Sequence, residues 1–277
     1  MTMEIPELAD ALLAEISRYK RMLVAFSGGV DSSVVLHAGV LALGSERVEA
    51  VTAVSPSLPA AELEIARNFC VERRVFHHLP TTDELSRPGY RENGPRRCYF
   101  CKSVLLDTAT ALATERDLTI ATGTNASDIT AGFRPGIRAA AERGARTPLA
   151  DIGLSKDDVR AVARLWGLSV WNKPAAACTA SRVAYGIPVT RDRLARIERA
   201  EVAVRAVLDG VRDLRVRDLG DAVRLEVDAE SVARVRADDA AHRAIRQAGF
   251  GDRPIEVSRF RSGSMNDVLE RDPTVMD

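Results

Sequence analysis

Residues 27–33 (SGGVDSS) bring two glycines, three hydroxyls and one carboxylate together in a short stretch of the chain. Glycines allow a sharp turn whose backbone N–H groups can approach an anion closely, and a helix that starts after the turn adds its own N–H donors and dipole. We interpret the stretch as a phosphate-binding loop formed by Ser27, Gly28, Gly29, Ser32 and Ser33. The alternative is an ordinary turn between a strand and a helix, because two glycines alone are common.

Asp31 is the unusual member of this loop, because the Walker phosphate loop carries a lysine after its glycines. A carboxylate beside phosphates is favourable mainly when it faces Mg²⁺, whose protein ligands are oxygen atoms. We therefore expect ATP and Mg²⁺ as cofactors, with Asp31 as a catalytic residue that faces the metal.

A second polar segment, residues 123–128 (GTNASD), follows another predicted buried strand. Open α/β sheets place ligand-binding loops at the carboxyl ends of their strands. We expect Gly123, Asn125 and Asp128 to contact the nucleotide or the substrate. The alternative is a plain turn.

Cys178 lies in the segment 171–182 (WNKPAAACTASR), which also carries Lys173, Ser181 and Arg182. Neighbouring cations lower the pKa of a thiol and increase its thiolate fraction. These neighbours suit a reactive thiolate at Cys178. A lone cysteine is also often part of a hydrophobic core, which is the alternative for Cys178.

Cys98 and Cys101 form a CxxC pair in the segment 96–102 (RRCYFCK), and no second CxxC occurs in the sequence. One such pair suits half of a metal site or a redox pair. Together with Cys178 they make three candidate thiolates, which could hold a [4Fe–4S] cluster with one iron open. The alternative is two cysteines at the start of a helix with no ligand. We expect Cys70 to be a core residue.

Arg215 and Arg217 alternate onto one face of a predicted strand near the end of the chain. Two guanidinium groups on one face suit the phosphate of a nucleotide, because each can bind it bidentately. Glu201 could hold Mg²⁺ or orient the substrate, so we group these three residues as substrate-binding. The alternative is that an arginine-rich chain simply places such pairs on solvated surfaces.

The pattern of apolar residues predicts the elements that position these groups. Strands at residues 22–26, 48–54 and 118–122 alternate with helices, which is typical of an α/β fold with a parallel sheet covered on both faces. The last third changes to a helix at residues 191–208, two strands within 214–227, a helix at residues 229–248 and a strand at 255–260. We therefore predict an α/β domain at residues 1–187 and a smaller α+β domain at residues 188–277.

The composition excludes several classes of protein. The chain has 277 residues, 46% hydrophobic and 28% charged, with a net charge of zero. This balance argues against bulk electrostatic binding to nucleic acid or to an anionic membrane. No apolar run is long enough for a membrane span, and four cysteines are too few for a disulfide scaffold. We expect a cytoplasmic protein that does not associate with membranes.

The loop at residues 27–33 resembles the PP-loop of the ATP pyrophosphatase superfamily. Members of this superfamily cleave ATP between its α- and β-phosphates, adenylylate a substrate oxygen and release pyrophosphate. The resemblance implies that the α/β domain is a parallel-sheet, adenine nucleotide alpha hydrolase-like domain that binds ATP.

Further motifs narrow the resemblance to one family within that superfamily. They are GTNASD (123–128), GFRPG (132–136), PL (148–149), GLSK (153–156), WNKPAAACTASR (171–182), YG (185–186) and IERAE (197–201). Together they resemble the ATP-dependent sacrificial sulfur transferases that make the nickel-pincer nucleotide cofactor of lactate racemase. The resemblance extends from residue 20 to residue 260.

The family resemblance implies a substrate and two possible sources of sulfur. Enzymes of this family adenylylate a carboxylate of pyridinium-3,5-biscarboxylic acid mononucleotide and convert it to a thiocarboxylate. In the sacrificial type the sulfur comes from the cysteine that matches Cys178, which becomes dehydroalanine. The resemblance therefore implies that Cys178, Ser181 and Arg182, which all lie in the matching segment, are catalytic. A second branch depends on a [4Fe–4S] cluster and carries an external sulfide on the open iron. The sequence contains Cys98 and Cys101 as well as Cys178, which favours the cluster branch.

Two other functions are compatible with the same loop. One is a tRNA-thiolating or amide-forming synthetase, and the other is a non-catalytic protein that senses ATP. Zero net charge argues against tRNA, and the presence of Asp31 in a complete loop argues against a sensor. We expect a homo-oligomer whose partner is the small pyridinium mononucleotide.

Overall fold

The structure is a computed structural model that describes residues 4–130, 135–174, 177–261 and 263–266. The chain divides into two compact units. The first unit contains Met1–Thr82 and Cys98–Ala176, and the second contains Asp83–Arg97 and Ala177–Asp277. The segment GFRPG lies largely outside the described residues, because residues 131–134 are not among them.

A parallel sheet forms the centre of the first unit, in agreement with the sequence. Its strands are β1 (Met22–Ala25), β2 (Val48–Val51), β3 (Phe76–His78) and β4 (Thr119–Thr122). The described part of the sheet has the order β3-β2-β1-β4, and all of its pairs are parallel. Because the strands are parallel, the segments that follow β1 and β4 leave the sheet at the same edge. The sequence prediction extended β2 to residue 54, but beyond Val51 only an isolated bridge joins Val54 to Thr81.

Successive residues of β1 contact different hydrophobic clusters, because side chains alternate across a strand. Met22 and Val24 belong to a cluster with residues of the helices α1 (Ile5–Ile16), α2 (Val30–Leu43), α3 (Ala60–Glu72) and α9 (Lys156–Leu165). Leu23 belongs to another cluster with residues of α5 (Arg97–Arg116) and α7 (Pro135–Ala141). Helices therefore cover both faces of the sheet. Cys70 is buried in the first of these clusters, as expected.

Short helices complete the described part of both units. They are α4 (Pro88–Arg91), α6 (Ala126–Thr130) and α8 (Pro148–Asp151). α9 begins with a capping box, since Ser155 Oγ accepts from the backbone N–H of Asp158 and the Asp158 carboxylate accepts from the N–H of Ser155. Among the described helices, none is long and apolar enough to cross a membrane.

The second unit contains the long helix α10 (Arg191–Val207) and a sheet of β5 (Leu214–Asp218), β6 (Val223–Val227) and β7 (Ile255–Arg259). Thr190 caps α10 by accepting a hydrogen bond from the N–H of Arg193. β5 and β6 pair antiparallel, and β6 and β7 pair parallel. This β-β-α-β arrangement is the α+β fold that the sequence pattern indicated.

The prediction of one continuous helix over residues 229–248 is wrong. The structure has two short helices, α11 (Val232–Arg236) and α12 (Asp239–Ile245). Asp238 separates them, because its extended backbone ends the helical path and its carboxylate accepts from the N–H of Ala241 at the start of α12. An N-cap residue has non-helical dihedral angles by definition, so a single helix cannot pass through it.

The second unit starts earlier than the predicted boundary at residue 188 and includes a segment from the predicted first domain. The physical reason is a set of long-range hydrogen bonds from buried polar side chains. The side-chain amide of Asn93 donates to the carbonyls of Val183, Ala184 and Ile187. These bonds attach residues 83–97 to a part of the chain about ninety positions away, and no local sequence pattern reports them.

Candidate functional site

The loop that follows β1 has the conformation expected for an anion-binding turn. Gly28 has a φ of +67°, which residues with a side chain rarely adopt. Ser32 is buried in the first turn of α2, and its hydroxyl lies 3.2 Å from the hydroxyl of Ser27 and 3.2 Å from the carbonyl oxygen of Gly29. The serine hydroxyls thus stabilise the turn, whereas Ser27 is itself exposed at its surface.

Ser33 is more deeply buried than the other two serines of the loop. It is completely buried, and among the described residues its hydroxyl has no hydrogen-bond partner. Its backbone N–H donates to the carbonyl of Gly29 at 3.0 Å. The role of Ser33 as a phosphate ligand stays a prediction, as do those of Ser27 and Ser32.

Gly123 explains how the segment after β4 can approach this loop so closely. A Cβ atom at residue 123 would lie 2.6 Å from the backbone nitrogen of Ser32 and 2.9 Å from the carbonyl carbon of Asp31. Both contacts are with backbone atoms, which cannot move aside as a flexible side chain can. Glycine is therefore required at this position for steric reasons, and the segment 123–128 lies against the N-terminus of α2.

Asn125 connects this segment to the carboxylate of the loop. Its side-chain amide donates to Oδ1 of Asp31 at 2.8 Å, and its Oδ1 accepts from the backbone N–H of Asp128 at 3.0 Å. Asn125 is almost completely buried. Burial raises the pKa of Asp31, the hydrogen bond from Asn125 opposes that rise, and the nearby charge of Asp128 adds to it. The structure thus contains a half-buried carboxylate held by an amide, which suits binding of a cation.

Lys173 contributes a positive charge to the loop after β1, although in the sequence it lies close to Cys178. Its Nζ donates to the carbonyl of Gly28 at 2.9 Å and to Oε2 of Glu62 in α3 at 2.6 Å. Both side chains of this ion pair are largely buried. The loop therefore has a lysine beside its glycines, but the lysine comes from a distant part of the sequence, 145 residues further along.

The CxxC pair lies at the start of α5. Cys98 is exposed and Cys101 is half-buried, and among the described residues neither forms a disulfide. Lys102 follows directly, and burial lowers its pKa, whereas the nearby Cys101 thiol opposes that shift. Cys98 and Cys101 are three residues apart on a helix, so that both thiols lie on the same side of it.

Cys178 belongs to the second unit, where two neighbours in the sequence fix its main chain. The hydroxyl of Ser181 donates to the carbonyl oxygen of Cys178 at 2.7 Å, and Arg182 Nη1 donates to the same oxygen at 3.0 Å. Arg182 also donates to the carbonyl of Ala177 and forms an ion pair with Glu201 on α10, with Nε 3.0 Å from Oε1. The side chain of Arg182 is buried, whereas the thiol-bearing residue is half-exposed.

Glu201 and the two predicted arginines belong to the same cluster in the second unit. The Oε1 atom of Glu201 also accepts from the backbone N–H of Val216 on β5 at 3.0 Å. Arg215 and Arg217 are 8% and 5% exposed, so they do not belong to a solvated surface. Burial, and then the charge of Arg182, lowers the pKa of Arg215.

The two arginines of β5 differ in their partners. Arg217 donates twice to Oε2 of Glu226 on β6, at 3.0 and 2.7 Å, and once to the carbonyl of Ser181 at 3.1 Å. Arg215 donates to the carbonyl of Leu214 and lies 5.3 Å from the ring centre of Phe260. Arg217 is therefore paired with a carboxylate of the same sheet, whereas the guanidinium of Arg215 lies over an aromatic ring.

No set of three His, Cys, Asp or Glu side chains arranged to hold a metal ion occurs among the described residues. Cys98 and Cys101 belong to the first unit and Cys178 to the second. The three-thiolate cluster site therefore stays a prediction. His77 and His78 lie in β3.

Sequence reasoning missed several polar residues that the structure places beside the predicted ones. They are Glu62, Asn93, Arg97 and Glu226. Glu62 and Glu226 are counter-ions, whereas Asn93 and Arg97 bind main-chain carbonyls. A counter-ion on another element has no signal in a single sequence, since the partner is distant in the chain.

No family model matches the chain, but curated proteins do. An uncharacterized protein of Synechocystis sp. is 38% identical over 91% of this chain and 94% of its own length. A pyridinium-3,5-bisthiocarboxylic acid mononucleotide synthase of Lactiplantibacillus plantarum is 31% identical over 94% of each chain. An uncharacterized protein of Methanocaldococcus jannaschii is 23% identical over 90% of this chain and 94% of its own length. These similarities extend over both units.

Proposed function

Since the chain belongs to the PP-loop sulfur transferase family of nickel-pincer nucleotide biosynthesis, we propose that it activates a pyridinium mononucleotide carboxylate with ATP and converts it to a thiocarboxylate. The similarity to the synthase over nearly the whole chain supports an enzyme of sulfur transfer to a pyridinium mononucleotide. The residues of the two units support the ATP chemistry and the role of Cys178.

The loop after β1 supports adenylylation. A substrate carboxylate oxygen would attack the α-phosphorus of ATP, the bond between that phosphorus and the bridging oxygen would break, and pyrophosphate would leave. The protein's contribution to such a step is mainly positioning and charge stabilisation. Gly28, Gly29 and the N-terminus of α2 supply N–H groups for the phosphates, Ser27 and Ser32 supply hydroxyls, and Lys173 supplies a positive charge.

The residues at the loop fit a divalent cation. Among the described residues no cation forms an ion pair with Asp31, and its carboxylate is partly removed from water. A buried carboxylate without a counter-ion is unfavourable, and Mg²⁺ prefers such oxygen ligands. Bound Mg²⁺ would neutralise charge on the phosphates, and Asp31, held by Asn125, would be the residue that binds it.

Cys178 supports the transfer of sulfur. In the sacrificial reaction the thiolate attacks the acyl carbon, AMP leaves and a thioester forms. Loss of the Cα proton of Cys178 then breaks its Cβ–S bond, which yields the thiocarboxylate and dehydroalanine with no external oxidant or reductant. Ser181 and Arg182 would hold the main chain of Cys178 during this step.

We propose that the second unit binds the mononucleotide through its buried arginines. Arg217 is held by Glu226, and the pKa of Arg215 is lowered by burial and by the charge of Arg182. An added anion would offset the mutual repulsion of these buried guanidinium groups. The observation that carries the proposal is this cluster of buried arginines in the same unit as Cys178.

A [4Fe–4S] cluster stays a second proposal for the source of sulfur. Cys98 and Cys101 present two thiols on one side of a helix, and Cys178 would be the third ligand. Iron and sulfide analysis of the anaerobically purified protein, together with its visible spectrum, tests whether a cluster is bound.

The test of the function uses the full chain with ATP and pyridinium-3,5-biscarboxylic acid mononucleotide. We expect exchange of labelled pyrophosphate into ATP only when the pyridinium substrate is present, and formation of a thiocarboxylate afterwards. Cys178→Ala should keep the exchange but form no thiocarboxylate. If Cys178 is the sulfur source, the spent protein will be lighter by the mass of H₂S, whereas repeated turnover with added sulfide and no mass loss would indicate the cluster. An active Cys178→Ala protein would contradict sulfur transfer by this residue.

A further inference from the structure

We infer that Asn93 and Arg97 are positioning residues for sulfur transfer, because they fix the main chain that follows Cys178. The inference rests on the proposed function and adds to it two residues that no motif of the family resemblance contains. All the contacts that support it lie within the second unit.

Asn93 binds three carbonyl groups at once. Its side-chain nitrogen lies 3.3, 2.8 and 2.9 Å from the carbonyl oxygens of Val183, Ala184 and Ile187. The backbone carbonyl of Asn93 accepts from the N–H of Gly186 at 3.3 Å. Asn93 is fully buried and has a φ of +59°, a conformation that asparagine tolerates better than most residues. These features are those of a specific binding element for a loop, and a hydrophobic residue could not replace it.

Arg97 extends the same network toward Cys178. It is 5% exposed, and its Nη1 donates to Oδ1 of Asn93 and to the carbonyl of Ala180 at 3.0 Å. Ala180 is two residues from Cys178, whose own carbonyl is held by Ser181 and Arg182. Arg97 is also the first residue of α5 and directly precedes Cys98 in the chain.

The result is a loop whose carbonyl groups are bound by side chains instead of by a regular ladder. Between residues 177 and 187, the acceptors of such bonds are the carbonyls of Ala177, Cys178, Ala180, Ser181, Val183, Ala184 and Ile187. The loop contains a short turn of 3₁₀-helix, Thr179–Arg182, which is too brief to hold its own position. The donors therefore decide where the main chain of Cys178 lies.

Positioning matters for this reaction because a sulfur nucleophile must approach an acyl carbon closely and from the correct direction. A displacement of about 1 Å caused by a substitution away from the reacting atoms can lower a rate by about 10²-fold. A residue that only stabilises the fold would affect every activity of the protein together. A positioning residue for Cys178 affects sulfur transfer and leaves adenylylation almost unchanged.

The experiment measures the two activities separately in Asn93→Asp and Arg97→Lys. Aspartate keeps the size of Asn93 and its bond from Arg97, but it cannot donate to the three carbonyls. Lysine keeps the charge of Arg97, but its side chain is shorter, so its Nζ cannot take the position from which Nη1 donates both bonds. Arg91→Lys is the matched control, because the side chain of Arg91 is exposed on the neighbouring helix α4.

We expect thiocarboxylate formation to fall by about 10²-fold in both variants, while pyrophosphate exchange and the KM for ATP stay at wild-type values. The control should resemble wild type in both assays. Equal loss of both activities in a folded Arg97→Lys protein would show a structural role only, and no loss of sulfur transfer would overturn the inference directly. If Asn93→Asp does not fold, Arg97→Lys decides alone.

A further measurement separates this inference from the proposed function. The rate at which iodoacetamide alkylates Cys178 is read by peptide mass spectrometry without ATP or substrate, with buried Cys70 as the internal reference. We expect faster alkylation of Cys178 in both variants than in wild type or Arg91→Lys. If wild-type protein shows no pyrophosphate exchange, the proposed function fails, whereas an unchanged alkylation rate overturns the positioning role independently.

Discussion

The side-chain nitrogen of Asn125 lies 2.8 Å from Oδ1 of Asp31, which joins two segments that are 94 residues apart in the chain. The contact is possible because β1 and β4 are parallel neighbours, so that the segments after both strands leave the sheet at the same edge. Gly123 allows the second segment to lie directly against the N-terminus of α2. The carboxylate of the phosphate loop is thus oriented by a residue of a different loop.

Asp31→Asn should keep the fold but lower the exchange of pyrophosphate into ATP by at least about 10²-fold. The change removes a charge that we propose to bind Mg²⁺, and loss of one electrostatic contact to a transition state has effects of about this size. Asp10→Asn on the exposed surface of α1 is the control and should have no effect. Exchange at a near wild-type rate in Asp31→Asn would exclude Asp31 from the metal site.

Asn125→Ala should shift the acidic limb of the exchange reaction to higher pH. Burial raises the pKa of Asp31 and the hydrogen bond from Asn125 lowers it, so removal of that bond raises the pKa further. Because the ionised carboxylate is the active form, activity should then be lost at a higher pH as the pH falls. The pH profile of exchange at saturating ATP measures this. When Asn125→Ala is added to Asp31→Asn, the acidic limb of the pH profile should not move further. If it does move, a group other than Asp31 determines that limb.

Lys173→Met should weaken ATP binding by about ten- to a hundredfold, because a charge-assisted hydrogen bond contributes about 1.5–3 kcal/mol. We expect Lys173 to exchange its ion pair with Glu62 for the phosphates when ATP binds. Glu62→Gln should therefore strengthen ATP binding, since it removes the competing carboxylate. Isothermal titration calorimetry with a non-hydrolysable ATP analogue measures both, and the exposed Lys20→Met is the control. Unchanged affinity in Lys173→Met would leave Lys173 as an anchor of the loop only.

Arg215→Met should weaken binding of the substrate mononucleotide by about ten- to a hundredfold on the same basis and leave ATP binding unchanged. Arg217→Met should instead destabilise the protein by about 3–5 kcal/mol, because it leaves the buried Glu226 carboxylate without its partner. Adding Glu226→Gln to Arg217→Met should recover much of that stability. Equal weakening of both ligands by Arg215→Met would place Arg215 outside the substrate site.

The carboxylate of Glu49 on β2 should make the stability of the first unit depend on pH. Burial alone would raise its pKa, but hydrogen bonds from His78 and Arg116 and the charge of Arg116 bring the pKa below its ordinary value. A carboxyl with a lowered pKa stabilises the folded state above its ordinary pKa, and that stability is lost as the pH falls through the lowered value. The difference in unfolding free energy between wild type and Glu49→Gln should therefore be largest near neutral pH and shrink below about pH 4.5. Urea unfolding of both proteins at each pH measures this difference. A difference that stays constant down to pH 3 would contradict the assignment.

Much of the fold could be predicted from the sequence because the signals are local. The alternation of short apolar runs with helical patterns predicted the parallel sheet, and the helix predicted at residues 191–208 is present as α10. The prediction of one helix over residues 229–248 failed because of Asp238, which caps the start of α12. An aspartate can also lie within a helix, and the local sequence pattern does not distinguish a capping aspartate from one inside a helix.

The sequence by itself determined which residue types could do chemistry: the glycines and Asp31 of the loop, Cys178, and the arginines of β5. The tertiary structure alone decided their partners. It brought Lys173 to Gly28 and Glu62, and Asn125 to Asp31. It also brought the side chain of Asn93 within hydrogen-bond distance of carbonyl groups in the loop after Cys178. The physical reason is that hydrogen bonds and ion pairs act over about 3 Å between side chains, whereas the two members of each pair are separated in the chain by many residues and are brought together only when the sheet and its helices pack.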